Sequence, residues 1–270
     1  MNQNNNESRK INRKKLKENA QKRNRKGGIF NKILFLLALI IFLYATYQLY
    51  TIFAEYKEGE KEYVDIIDLV VTQDQKDDNN LDFQVDFKTL KAINGDTVGW
   101  IRFEEPSVIN YPLVQGRDNY EYLTKTFQAN DNKLGAIFVD AYSQPDFSDR
   151  NTIIYGHNMK NGSMFSKLNE YKSQEFHKQY PNFYIYTPDG EKIVYQICAV
   201  SIVKDTSELY QTQFESDMEW QNYIDMMKGA SLYNTGVTVT KDAKIVSLST
   251  CTNVADDERL LVQGIKVGEE

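Results

Sequence analysis

Hydrophobic and polar positions divide the chain into three regimes. An apolar stretch extends from Ile29 to about Tyr50, with the unbroken run Ile33-Leu34-Phe35-Leu36-Leu37-Ala38-Leu39-Ile40-Ile41-Phe42-Leu43-Tyr44 at its heart. Roughly 20 residues at about 1.5 Å each match the hydrocarbon thickness of a bilayer. From Phe53 to Val71 the apolar positions are Phe53, Tyr56, Tyr63, Ile66, Ile67 and Val70, with Glu and Lys between them. That spacing predicts an amphipathic helix after the apolar stretch. Thr72 to Asn80 is polar without periodicity and reads as a linker. A short helix around Phe87, Leu90 and Ile93 is expected to end at Asn94-Gly95, with the glycine in a left-handed exit.

From Asp96 onward the pattern changes to short alternating runs separated by turn signals. Strands are expected at Thr97–Ile101, Leu134–Val139, Asn151–Tyr155, Phe183–Tyr186, Lys192–Val203, Val237–Val239, Lys244–Thr250 and Arg259–Gly264. Thr187-Pro188-Asp189-Gly190 between two of them is a hairpin signature. One helix interrupts the late strands: Ser216 and Glu219 form a capping box, and Trp220, Tyr223, Ile224 and Met227 fall on one face. Gly229 follows at its exit. Many strands with few crossover helices predict a mainly β fold, a mostly antiparallel closed or nearly closed barrel.

Charge changes the picture at the N-terminus. Arg9 to Lys26 carries ten Lys or Arg and one Glu, whereas the whole chain of 270 residues has a formal net charge of -6. Basic residues before an apolar span hold the N-terminus in the cytoplasm. Tyr44, Tyr47 and Tyr50 close the span where a cleaved signal would need small residues, so an uncleaved anchor is expected. The expected organisation is a basic cytoplasmic tail (1–28), a transmembrane anchor (29–50), a helical stalk and linker (51–86) and an extracellular catalytic domain (87–270). The acidic remainder argues against nucleic acid as a partner.

Candidate chemistry is sparse. There are two cysteines, Cys198 and Cys251, and two histidines, His157 and His177. Cys198 lies inside a buried-strand pattern and reads as an inert core thiol; a disulfide between the two is the alternative in an oxidising compartment. His177 sits in a polar helical context and reads as a surface residue. His157 follows one strand, Cys251 closes another, and Arg259 begins the next. Each alone has an ordinary structural explanation. Together they supply a thiol nucleophile, an imidazole for proton transfer and a guanidinium to hold carbonyls or an oxyanion. The eight-residue separation of Cys251 and Arg259 across a turn lets antiparallel strands bring both to one end. Spacing reveals no acidic partner for His157. No compact set of zinc ligands occurs, nor any phosphate loop or dinucleotide fingerprint, so no cofactor is expected.

These residues carry a resemblance. Ser247-Leu248-Ser249-Thr250-Cys251 is similar to the Thr-Leu-x-Thr-Cys signature of the sortases of Gram-positive bacteria, with Arg259 where the sortase arginine stands. Tyr155-Gly156-His157-Asn158-Met159 resembles the sortase histidine motif. Tyr111 to Asn119 and Tyr122-Leu123 look like the early pattern of class B. The likeness spans about Phe87 to Lys266. It implies an eight-stranded sortase barrel with N-terminal helices and an inserted helix between late strands. It further implies that Cys251 attacks the carbonyl after a Thr in a C-terminal sorting signal, giving a thioacyl enzyme. His157 would protonate the departing amine and Arg259 steady the intermediate. Thr250, Asn158, Ser249 and Asn119 would contact substrate. The implied partners are secreted proteins bearing the sorting motif, a peptidoglycan amine, and the cell membrane through the anchor. Ser247 departs from the signature's first Thr but keeps a small hydroxyl. No Asp-Pro-aromatic lid motif precedes Asp96, which favours anchoring over pilus building. Hydrolysis without transfer, pilin polymerisation and a catalytically idle adhesion module are the competing readings.

Overall fold

The computed structural model describes residues 3–76, 80–106 and 108–269. Helix α1 (Gln3–Val70) is followed by β1 (Val71–Lys76), β2 (Asn80–Val85), α2 (Phe87–Ile93), β3 (Thr97–Phe103), β4 (Ile109–Val114), β5 (Ile137–Val139) and β6 (Asn151–Tyr155). Then come α3 (Gln174–Gln179), β7 (Asn182–Tyr186), β8 (Lys192–Lys204), α4 (Asp217–Ala230), β9 (Ile245–Cys251) and β10 (Glu258–Glu269). The chain forms two compact units, divided between Ala54 and Glu55. The helical stretch Asn31–Val70 is long and apolar enough to cross a membrane, and none of its most apolar window is buried.

The second unit is built on a closed eight-stranded barrel in the order β10-β8-β7-β3-β4-β5-β6-β9. Neighbours are antiparallel except β4–β5 and β6–β9, which run parallel. Two packed clusters explain the burial of β8, β9 and β10. Val246, Leu248, Leu260 and Val262 belong to the cluster that also holds Trp100, Ile154 and Phe183. Ile245, Leu261 and Ile265 pack on the apolar face of α4, with Trp220, Tyr223, Ile224 and Met227. Trp220 is fully buried, so its truncation to alanine costs about 3–5 kcal/mol. Ser216 caps α4 by accepting from Glu219 N–H at 3.2 Å, while the Glu219 carboxylate reaches back to Glu215 N–H at 2.7 Å.

Several expectations are corrected. Within the stretch read as a linker, Thr72–Lys76 and Asn80 are strand residues, paired in the β1–β2 ladder in register Val71↔Val85, while residues 77–79 lie outside the described residues. Phe83 anchors it, with its ring 4.8 Å from that of Tyr186 and 4.2 Å below the Arg102 guanidinium. One aromatic anchor in a polar run gives no periodic signal. Gly95 is not left-handed: α2 ends at Asn94, extended at φ -138°, whose side chain accepts from Asp96 N–H and makes the turn itself. Helix α4 runs on through Gly229 to Ala230. Val237–Val239 joins no strand; Val239 is buried against the α4 cluster instead. β4 gives no strand signal in the sequence because Pro112 lies inside it; a proline argues against a strand interior, and the ladder to β5 spans only Leu113 and Val114. His177 is 3% exposed, not a surface residue. The six-residue α3 packs against β8, with His177 Nε2 3.0 Å from Ile197 O and its ring beside Tyr233.

Candidate active site

β9 ends at Cys251 and β10 starts at Glu258, so the turn between them sits at one barrel rim. Antiparallel pairing sets Arg259 directly opposite Cys251. On its other side Arg259 pairs with Val203 of β8. The parallel β6–β9 ladder ends at Tyr155↔Ser249, which delivers Gly156-His157 to the same rim. Cys251, His157 and Arg259 thus line one cleft of about 420 Å³, with Asn119, Tyr120, Leu123, Phe138, Tyr155, Asp205, Tyr210, Ser249 and Thr250 around them. A cleft of that size, rich in aromatic side chains and edged by a few polar groups, has the character of a ligand-binding site.

Each group of the trio is held from behind. His157 Nε2 lies 2.7 Å from Leu123 O. A carbonyl only accepts, so Nε2 carries a hydrogen and Nδ1 is left to take or give a proton. Its orienting partner is therefore backbone, which no spacing of acidic residues could disclose. Arg259 donates through one terminal nitrogen to Asp256 O at 2.6 Å and Glu258 O at 3.1 Å. The other lies 3.3 Å from Asp205 Oδ2. Cys251 is half-buried and free, and its carbonyl accepts from Asn158 Nδ2 at 2.7 Å. Cys198 is also free; burial pushes its thiol up to about 12.

The four expected substrate contacts fall in different places. Thr250 lines the cleft, 3% exposed, and its Oγ1 has no hydrogen-bond partner among the described residues. Ser249 lines it as well, but its Oγ is 2.7 Å from Tyr210 OH. Asn119 is at the edge, donating to Asp140 Oδ2 at 2.7 Å and accepting from Ala141 N–H at 2.8 Å. Asn158 is outside the lining, behind Cys251 and bonded to Asn169 at 3.1 Å. Tyr210 was missed by the sequence reading. Its ring stacks on Tyr155 at 6.4 Å and 5°, and burial, outweighing the Ser249 hydrogen bond, pushes its hydroxyl up to about 12.

A closed barrel with a thiol, an imidazole and a guanidinium on one rim is the arrangement of a cysteine acyl-transfer enzyme. The family model for the sortase domain matches residues 105–267. The chain belongs to the sortase family, and within it to class B. It is 31% identical over 242 residues to the sortase B of Listeria monocytogenes, covering 88% of this chain and 96% of that one. The structure of Bacillus anthracis sortase B in complex with AAEK1 superposes with TM-score 0.69 at 32% identity, over 80% of this chain and 99% of that one. The Staphylococcus aureus sortase B–substrate complex gives 0.62 at 31%, over 67% and 84%. A sortase B complexed with triglycine gives 0.62 at 32%, over 67% and 85%.

Proposed function

We propose that this protein is a membrane-anchored cysteine transpeptidase that joins secreted proteins to peptidoglycan. The observation that carries the reading is the pairing of Cys251 with Arg259 across β9 and β10, in a cleft also lined by His157. Cys251 Sγ, as thiolate, attacks the carbonyl carbon after a Thr in a C-terminal sorting signal. The carbonyl π electrons move to oxygen, and the Arg259 side chain stabilises that charge or the neighbouring peptide carbonyls. Collapse breaks the C–N bond, and Nδ1 of a protonated His157 gives its proton to the leaving amine. The resulting thioester is opened by the amine of a peptidoglycan cross-bridge, which loses a proton to His157 as the new amide forms and Sγ departs. The other sortase B proteins characterised with a substrate and with triglycine support a peptide donor and an amine acceptor.

The apolar helix with its basic head supports a single-pass anchor with a cytoplasmic N-terminus (tail 1–28, span 29–50) and an extracellular catalytic body. The test is incubation of the detergent-solubilised chain with a library of sorting peptides, with and without triglycine. Amine-dependent ligation supports transfer. Cleavage that ignores the amine favours a hydrolase, and intact peptides throughout overturn the reading. Transfer to a pilin lysine in preference to triglycine would indicate a polymerising enzyme.

A further inference from the structure

The last turns of α1 reach the support beneath His157. Tyr63 is 3% exposed; its O–H donates to Gly135 O at 2.8 Å and accepts from Phe127 N–H at 3.2 Å. Gly135 has φ +65° and lies directly against the imidazole: a Cβ there would be 2.9 Å from His157 Cδ2 and 2.9 Å from Leu123 O. Leu123 O is the same atom that engages His157 Nε2. The turn that Tyr63 pins therefore meets both the ring and its only described polar partner. Only glycine fits at this close approach and positive φ.

The far side of His157 is tied to the same helix. The Tyr63 ring meets Tyr111 edge-on at 5.3 Å, and Tyr111 OH accepts from Met164 N–H at 3.1 Å. The next residue, Phe165, donates its N–H to His157 O at 3.0 Å. Glu60, one turn earlier on α1, accepts from Asn161 in the loop after His157. Glu62 holds the loop before Gly135 through Thr126 Oγ1, Gln128 N–H and Asn130 Nδ2, at 2.9, 2.9 and 3.0 Å. Burial raises the Tyr63 hydroxyl well above the ordinary tyrosine range, so it remains a donor throughout neutral pH.

We infer that Tyr63 is a positioning residue for His157, through which the last turns of α1 fix the orientation of the proton-transfer group. The inference rests on the reading of His157 as the acid–base group. A tyrosine that merely filled space there would tolerate loss of its oxygen. The hydroxyl instead bridges Gly135 O and Phe127 N–H, and a proton-transfer group displaced by a fraction of an ångström loses rate before it loses binding.

The chain has two histidines, which makes the test direct. Tyr63→Phe and wild-type full-length chains, isotope-labelled at histidine, are compared by NMR in detergent micelles. His157→Gln assigns the signals. The expected result is a displaced His157 ring signal, while His177, held on α3 by Ile197 O and Tyr233, keeps its signals. In parallel, kcat for transfer of a sorting peptide to triglycine falls about tenfold, with KM for the peptide changed by less than about twofold. An unmoved His157 signal overturns the inference, as does equal movement of both histidines or an unchanged kcat in an active enzyme. The spectra do not depend on turnover. A wild-type chain that transfers no peptide would count against the transpeptidase reading and leave the spectra to decide the role of Tyr63.

Discussion

Asn158 donates from Nδ2 to the carbonyl oxygen of Cys251 at 2.7 Å, and its own carbonyl accepts from Asn253 Nδ2 at 3.0 Å. Two amide side chains thus lace the loop after His157 to the turn after Cys251. Neither β6 nor β9 extends far enough to do this by ladder hydrogen bonds, because their pairing ends at Tyr155↔Ser249. These hydrogen bonds join the loop bearing His157 to the turn after Cys251 beyond the end of the ladder.

Asn158→Ala removes the donor and frees the Cys251 carbonyl. Loss of such a hydrogen bond costs about 1–2 kcal/mol of stability. The larger effect falls on turnover: kcat drops on the order of tenfold or more as the two loops separate, while the fold persists. Asn158→Asp is worse, because it turns an acceptor toward an acceptor. Steady-state kinetics and thermal melts of both variants check this. Wild-type kcat in Asn158→Ala would show that the lacing has no bearing on rate.

Arg259→Lys keeps a charge but loses the fork. Arg259 spends one terminal nitrogen on the carbonyls of Asp256 and Glu258 and the other on Asp205. One ammonium cannot span the turn and also present donors to substrate. A fall of about 10²-fold in kcat/KM is expected, the scale of losing an oxyanion donor. Asp205→Asn keeps the guanidinium and removes only its partially exposed ion pair, so its cost is smaller. Equal losses in the two variants would mean that Arg259 acts by pairing with Asp205 alone.

The two thiols should part cleanly in alkylation. Cys251 lines an open cleft, whereas Cys198 is buried, donates to Gln263 O at 3.3 Å and has its thiol pushed up to about 12 by burial. A thiolate is needed for alkylation, so Cys198 stays protonated and covered at pH 8. Iodoacetamide should add one group per folded chain, at Cys251, and two after denaturation, as read by mass. The sign for stability follows: the contribution of neutral Cys198 is complete below the unfolded thiol's pKa, and it is lost as pH rises toward 12. Rapid labelling of Cys198 in the native chain would contradict this burial.

Much of this site is written in strand ends. Ile154-Tyr155-Gly156-His157 and Leu248-Ser249-Thr250-Cys251 each put a reactive group at or just past the end of a strand. The short turn before Arg259 makes its pairing with Cys251 legible. What stays hidden depends on partners distant in sequence. Asp205 meets Arg259 only because β8 pairs with β10. Leu123 contributes a backbone oxygen, and backbone has no residue signature. His177 is covered by Ile197 and Tyr233, a burial that its own polar neighbours do not announce. The β1–β2 hairpin depends on where Phe83 lands, against Trp100 and Tyr186.

Ser247 offers a test of the one departure from the family signature. It is 1% exposed, donates to Asn151 Oδ1 at 2.7 Å and accepts from Gln263 Nε2 at 2.8 Å. Gln263 also donates to Tyr223 OH at 3.0 Å, and Asn151 donates to Gln211 O at 2.8 Å. This buried polar chain joins β6, β9 and β10 to α4 and to the segment bearing Tyr210. Ser247→Ala leaves Asn151 and Gln263 short of a partner, at a cost of about 1–3 kcal/mol. Ser247→Thr keeps the hydroxyl but adds a methyl where α4 packs closely, costing about 1–3 kcal/mol if nothing yields. Because Ser247 is two positions from Ser249 on the same strand face, the alanine variant should also disturb Tyr210, raising KM for the peptide more than it lowers kcat. Denaturant midpoints and a KM–kcat comparison decide it. An alanine variant as stable as wild type would mean that the chain of hydrogen bonds contributes nothing at this residue.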